Sequence, residues 1–368
     1  MSSALRRAAS LGREVLQTAF RLVPWPTEPG LRRAGDPGPE SPVIVTCNYD
    51  LTVRRVLRAL AGLDAWVVVA NTRGVNVWCA AAGGHFGTAH VVTALKTSGV
   101  AERAGHRRAI LPQLAAAGVE TREVKRRCGW QVRFGPAYAR DLPRYLTAGE
   151  RKSDELRRVR FGLAGRLEMA AAWAVPVGLV AGGAAALARP AWALPILALV
   201  AALSLAVFLL YDRIPGPRRW ILGATTVAVS LTAVSLAGGG TPALVTAAMA
   251  AAVLTAVLTF DYQGSTPIEG GSHFAERRFH ITLERELCVG ADFCREVCPE
   301  GVFDRRAGQR EIELARPERC IRCTACVVQC PTDALFLEDD AGRRIGPEVV
   351  RRFKLDLYGR RAVDAGGG

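Results

Sequence analysis

Seven of the ten cysteines fall in two short runs near the C-terminal end, and their spacing is that of a metal-cluster site. The second run is complete: Cys320-Ile-Arg-Cys323-Thr-Ala-Cys326-Val-Val-Gln-Cys330-Pro331. Thiolates spaced by two, two and three residues and closed by a proline hold cubane iron–sulfur clusters. The first three wrap around one cluster, and the fourth points away to a neighbouring one. Zinc ligation does not account for the Cys-Pro ending. The run makes this a one-electron redox protein.

The partner run lies upstream and lacks one thiol. Cys288-Val-Gly-Ala-Asp-Phe-Cys294-Arg-Glu-Val-Cys298-Pro299 carries Ala291 where the second cysteine belongs. Crossed ligation therefore assigns Cys298, Cys320, Cys323 and Cys326 to one complete [4Fe–4S] cluster. Cys288, Cys294 and Cys330 are left for a second. Three thiolates suit a [3Fe–4S] cluster, or a [4Fe–4S] cluster whose fourth iron takes an oxygen ligand. Asp292 stands next to the vacancy, one position late.

Such clusters belong in a reducing compartment, and the clustering of the cysteines argues against a secreted disulfide framework. The formal charge of +14 is carried by arginines beside apolar segments and in the C-terminal part. No nucleic-acid module accompanies it, so nucleic acid is not an expected partner. A membrane-facing cytoplasmic protein explains the charge better. Four apolar stretches, Met169–Ala188, Trp192–Tyr211, Trp220–Leu236 and Ala243–Phe260, approach the roughly 20 residues a helix needs to cross a bilayer. Arg151, Lys152, Arg157, Arg158, Arg160 and Arg166 precede the first, and Arg213, Arg218 and Arg219 lie between the second and third. The link between the third and fourth, 237–242, has no charge. Positive segments stay inside, so four spans place both ends of the chain in the cytoplasm.

The N-terminal part must carry any further chemistry. Residues 1–41 read as a basic lead-in. From residue 43 strands and helices alternate: strands at Val43–Thr46, Trp66–Ala70, Ala109–Leu111 and Gln131–Phe134, with helices between them. This is the pattern of a parallel sheet covered on both faces, with its ligand at the carboxyl ends of the strands. No Gly-x-Gly-x-x-Gly follows a strand. The segment after the second strand carries Asn76-Val77-Trp78-Cys79-Ala80, a lone thiol beside a tryptophan. On residue type alone Cys79 is as readily a buried inert thiol as a ligand. Cys47 and Cys128 match no motif, and His85 and His90 read as surface residues.

Asn76-Val-Trp-Cys-Ala80 resembles the cap-helix motif of the corrinoid protein of bacterial mercury methylation, which is related to the corrinoid iron–sulfur protein of acetyl-CoA synthesis. The resemblance takes in Gly62-Leu-Asp-Ala-Trp66, Ile110-Leu-Pro-Gln-Leu114, Glu123-Val-Lys-Arg-Arg127, Phe134-Gly-Pro136, Arg157-Arg-Val-Arg-Phe161 and Gly264-Ser-Thr-Pro267. The two cysteine runs resemble that system's separate bacterial-type ferredoxin, here fused in one chain. The resemblance implies that Cys79 is the lower axial ligand of a cobalamin cobalt, with Asn76, Val77, Trp78 and Ala80 forming the cofactor helix. Two departures stand against mercury as the substrate. The family motif continues with a glycine and a lysine where this chain has Ala81, Ala82 and Gly83. The family ferredoxin also ends in a cysteine pair, whereas no cysteine follows Cys330 here.

The expected architecture is therefore multidomain: an α/β Rossmann-like corrinoid-binding domain (42–150), a four-helix transmembrane anchor (169–260) and an α+β two-cluster ferredoxin domain (280–340). A basic juxtamembrane segment (151–168), a linker (261–279) and a basic tail (341–368) join or follow them. The expected function is membrane-anchored, corrinoid-dependent methyl transfer, with the ferredoxin reducing the cobalt. The acceptor would be Hg(II) or another soft metal or metalloid. Its partners would be the bilayer, a methyl donor (protein or small molecule) and an upstream electron donor. The alternative is a membrane-bound iron–sulfur electron-transfer protein with a degenerate corrinoid domain.

Overall fold

The computed structural model describes residues 3–214, 220–265, 279–306, 308, 310–352, 354–355 and 361–362. Arg218, Arg219 and most residues of the linker and of the end of the tail lie outside the described residues. The chain forms two compact units, one of Pro24–Val159 with Pro267–Gly368 and one of Met1–Val23 with Arg160–Thr266.

The lead-in is structured. Helix α1 (Ser3–Ala19) belongs to the second unit. Strand β1 (Gly30–Ala34) joins the sheet of the first. Strand β1 shows no apolar period in sequence, because it is an edge strand with Arg32 and Arg33 in its middle. Charged residues on an edge discourage pairing with another chain.

Four parallel strands follow: β2 (Val43–Cys47), β3 (Ala65–Ala70), β4 (Arg108–Leu111) and β5 (Gln131–Phe134). The sheet order is β1-β3-β2-β4-β5, with β1 antiparallel to β3. Every residue of β2 and β3 is buried, as a sheet covered on both faces requires. The covering helices are α2 (Asp50–Ala59), α3 (Val77–Ala82), α4 (Thr88–Thr97), α5 (Thr121–Cys128) and α6 (Leu142–Thr147), with a single turn α7 (Asp154–Arg157) after them. The strand order reverses between β2 and β4, which makes their carboxyl ends the crevice of the fold.

The apolar unit contains α8 (Leu163–Ala188), α9 (Ala193–Leu210), α10 (Trp220–Leu236) and α11 (Thr241–Ser265). Three segments, Leu163–Ala188, Pro190–Leu210 and Thr241–Thr259, are long and apolar enough to cross a membrane; α10 is shorter. Leu179, Val180, Leu187, Leu194, Leu236, Met249 and Val253 point outward. A helix set that is apolar on its outer faces is solvated by lipid rather than water. Inside the set, Gly182 lets α9 approach α8, since a β-carbon there would stand 2.8 Å from Leu197. Thr226 and Thr255 share a 2.8 Å hydrogen bond between α10 and α11.

The C-terminal part returns to the first unit. Strands β6 (His280–Leu283), β9 (Leu335–Glu338) and β10 (Arg344–Ile345) form an antiparallel sheet, and β7 (Phe303–Arg305) pairs with β8 (Ile312–Leu314). Between them run two single-turn helices, α12 (Phe293–Val297) and α13 (Ala325–Gln329), and α14 (Pro347–Arg352) follows. One buried apolar cluster runs without a break from the α/β sheet through Val297, Val302, Phe303, Val327 and Leu335.

Candidate functional site

The two cysteine runs fold as backbone repeats. Gly290, Asp292 and Gly301 have φ of 68°, 64° and 61°, and Arg322, Thr324 and Asp333, at the same offsets in the second run, have 53°, 60° and 58°. Left-handed backbone at non-glycine residues is uncommon, aspartate and asparagine being the partial exceptions, so the second loop holds this path at Arg322 and Thr324, which do not favour it. Asp292 and Thr324 each stand immediately before a short helix, α12 or α13. In this repeat Ala291 occupies the place of Cys323.

The repeats enclose two cavities. One is lined by Cys298, Cys320, Cys323 and Cys326, the other by Cys288, Cys294 and Cys330 together with Ala291 and Asp292. This is the crossed grouping that the spacing implies. Backbone N–H groups aim at the sulfurs: Val302 to Cys298 and Arg322 to Cys320 at 3.4 Å, and Ala334 to Cys330 at 3.2 Å. Burial pushes the Cys294 and Cys323 thiols up to about 12 and Cys326 well above its ordinary value, and neighbouring thiolates add to each shift. Buried anions that repel one another need a cationic core, and the donors are soft sulfur. The residues fit iron–sulfur clusters. Among the described residues no three His, Cys, Asp or Glu side chains converge as one bound ion would require. A cubane differs from a single ion, because its ligands are spread around the outside of an iron–sulfur cage.

Asp292 is committed elsewhere. One carboxylate oxygen accepts from Arg295 at 3.0 Å and the other from Arg305. The two guanidiniums hold its pKa below the usual range against the effect of burial. Both oxygens are engaged by arginine, which weakens the expectation that Asp292 completes an iron.

The cofactor-helix motif lies on α3, directly after β3 and its loop. Asn76 caps the helix: its Oδ1 accepts from the Val77 N–H at 2.8 Å and from Thr52 Oγ1 at 2.9 Å. Val77 and Ala80 are buried, and Asn76, Trp78 and Cys79 are partly exposed. Asn76, Val77 and Ala80 therefore build and seat the helix, and the surface it offers is Trp78 and Cys79. Cys47 is fully buried at the end of β2, and burial pushes its thiol up to about 11. Cys128 donates to the Val124 carbonyl at 3.1 Å.

Two buried glutamines went unnoticed in the sequence. Gln113 follows β4 and Gln329 ends α13; they are 4% and 5% exposed. Gln113 Nε2 donates to the Val297 carbonyl at 2.9 Å, and Gln329 Nε2 donates to the Ala116 and Val119 carbonyls at 2.9 and 2.6 Å. The carboxyl end of β4 thus meets the cysteine-bearing helices instead of solvent. Gln113 lies in the family-like segment Ile110–Leu114 and Gln329 stands beside Cys330, but neither position named its partner.

Comparison with known proteins matches two separate parts of the chain. A family profile described as the CO dehydrogenase/acetyl-CoA synthase delta subunit matches residues 13–146, and one described as a 4Fe-4S dicluster domain matches residues 287–335. The acetyl-CoA decarbonylase/synthase complex subunit gamma of Archaeoglobus fulgidus is 36% identical over 115 residues, covering 31% of this chain and 24% of that protein. The subunit of the same name from Methanopyrus kandleri is 36% identical over 125 residues, 33% of this chain and 27% of that protein. That from Methanothermobacter thermautotrophicus is 34% identical, with the same coverage. The chain spans about a quarter of the length of these relatives. The similarity is thus to a corrinoid-related family of acetyl-CoA systems joined to an iron–sulfur domain, and not to its mercury-specific branch.

Proposed function

We propose that this chain is a membrane-anchored iron–sulfur electron-transfer protein whose α/β domain derives from a corrinoid protein. The observation that carries the reading is the pair of cysteine-lined cavities, grouped four and three across the two runs. Cys298, Cys320, Cys323 and Cys326 would hold a [4Fe–4S] cluster. Cys288, Cys294 and Cys330 would hold a [3Fe–4S] cluster, or a [4Fe–4S] cluster with one iron free of thiolate. The clusters supply one-electron chemistry when bound. The protein buries them, aims N–H dipoles at their sulfurs and, through its membrane helices, keeps them at the bilayer. An upstream donor would fill them.

The same packing supports a cytoplasmic position for both soluble parts. Residues 24–159 and 267–368 form one unit, yet the apolar helices lie between them in sequence. Both parts must then lie on one side of the membrane, which demands an even number of crossings. Helix α10, about 26 Å long at 1.5 Å per residue, is thereby counted as the fourth span. The positive segments put that side in the cytoplasm.

One observation favours a second reading, corrinoid-dependent methyl transfer: Trp78 and Cys79 are the partly exposed residues of a firmly capped helix. A cobalt held in its macrocycle needs a single protein ligand, so one thiolate suffices. The deciding experiment is anaerobic purification in detergent with cobalamin added, for wild type and Cys79→Ala. About seven to eight irons per chain with no retained cobalt supports the electron carrier. Near-stoichiometric cobalt, with a visible spectrum that changes on losing Cys79, would make methyl transfer the function. Absence of iron would overturn both readings.

A further inference from the structure

Helix α1 (Ser3–Ala19) wears its polarity inside out. At 3.6 residues per turn, Leu5, Leu11, Val15, Leu16 and Ala19 share about 140° of its circumference, and Ser10, Arg13, Glu14 and Gln17 lie opposite. A helix on a water-soluble core turns its apolar side inward. Helix α2 does so, with Leu51, Val53 and Val56 buried. In α1 the order is reversed. Leu5, Leu11, Val15 and Leu16 are 60%, 64%, 63% and 47% exposed, whereas Gln17 is fully buried.

The turn after α1 shows where this face lies. Arg21 Nη1 pairs with Glu168 Oε2 at 3.1 Å. Glu168 is the last charged residue before the apolar run that begins at Met169. One turn away, the Arg166 guanidinium donates to the Phe161 and Phe208 carbonyls at 2.9 and 3.0 Å, so the end of α9 meets the start of α8 at this level. The clamp therefore holds α1 at the end of the apolar unit that carries the positive segments. Leu163 and Leu167, in the first turns of α8, also point outward there. The exposed side of α1 continues the apolar outer surface of the same unit. A crossing is excluded, because 17 residues with three arginines and a glutamate do not enter hydrocarbon.

From this juxtaposition we infer that α1 is an interfacial helix whose partner is the anionic cytoplasmic leaflet. Leu11, Val15 and Leu16 sink into the boundary between headgroups and acyl chains, and Arg13 meets phosphate at the edge of the face. Anionic lipid is favoured because Arg6, Arg7 and Arg13 outnumber the single acid of the helix, Glu14. The inference rests on the membrane reading and is independent of the clusters. It also gives the α/β domain a second tether. The chain passes from α1 into that domain at Pro24 and returns to the apolar unit at Arg160, so entry and exit are both held at the bilayer.

The test uses the full chain in nanodiscs of phosphatidylcholine with a minority of phosphatidylglycerol. The photoreactive residue p-benzoylphenylalanine is placed at Val15, at Leu11 in a second preparation, and at the outward Val180 of α8 as a control. After illumination the adducts are identified by mass. Val15 and Leu11 should both capture phospholipid. Phosphatidylglycerol should be enriched about fivefold over its share of the bilayer, the selectivity of one arginine at an anionic surface. Arg13→Gln should lower that enrichment while lipid capture persists. Adducts to a second copy of the chain or to another segment of it, or no adduct at either site, would overturn the inference. So would capture of the two lipids in proportion to their abundance. Failure of Val180 to capture lipid would instead remove the membrane reading on which the inference rests.

Discussion

At the scale of single residues, Ala291 is the most consequential. It sits in a loop whose backbone repeats that of Cys320–Cys326, at the place of Cys323, beside a cavity with only three cysteines. The backbone is already shaped for a ligand and only the sulfur is missing. Ala291→Cys should therefore raise iron content by about one atom per chain and abolish the oxidised-state signal of a three-iron cluster. An unchanged iron count would mean that the first cluster already has four irons, and would turn attention to a non-thiolate ligand. Asp292→Asn should leave the nuclearity unchanged, because its two oxygens face Arg295 and Arg305.

At the scale of elements, the stretch Gln113–Thr121 after β4 packs closely against Ala81 and Phe86, and its tolerance is small. Gly118→Ala forces a β-carbon against two backbone carbonyls that have little room to yield. Overpacking of this kind costs about 1–3 kcal/mol, to be read as a lower midpoint in denaturant. Lys152 adds a pH dependence. Burial lowers its pKa from 10.5 to about 7; nearby Arg157 pushes the same way and Glu296 opposes. Between those two values the unfolded chain holds a proton that the folded chain does not, so stability rises with pH across that window. Below about 7 the charged ammonium is buried at its full cost. Thermal bleaching of the clusters should shift to higher temperature as pH is raised from 7, and Lys152→Met should flatten the trend. A profile that keeps its slope in the variant would assign the dependence to another group.

At the scale of the whole molecule, parity links topology to electron transfer. Hydrogen bonds such as that from Gln329 to Ala116 join segments that lie on either side of the membrane helices in sequence. An odd number of spans would leave those partners on opposite sides of the bilayer. In intact cells a membrane-impermeant maleimide should label Thr241→Cys, at the start of α11, and leave Arg158→Cys unlabelled until the membrane is opened. Labelling of Arg158→Cys from outside would refute the cytoplasmic placement. Helix α1 fits the same picture: Leu5, Leu11 and Val15 face outward from a helix in the membrane unit, the arrangement of an amphipathic segment at a bilayer surface.

Much of this was legible in the sequence because the signals are local. Cluster loops need thiolates at fixed intervals, membrane helices need apolar runs, and buried parallel strands need continuous β-branched residues such as Val43–Val45 and Val67–Val69. Those constraints act along the chain, so Cys288–Cys330, the apolar stretches and the four parallel strands are written in order. Strand β1 was hidden, since an edge strand is stabilised by its neighbour and tolerates arginine. The capping of α3 by Asn76, the commitment of Asp292 to two arginines and the meeting of Gln329 with Ala116 were decided only in three dimensions. A glutamine or an aspartate has no fixed partner in sequence. Its role depends on which carbonyl, amide or guanidinium the fold brings within hydrogen-bonding distance, and those partners here lie up to 213 residues away.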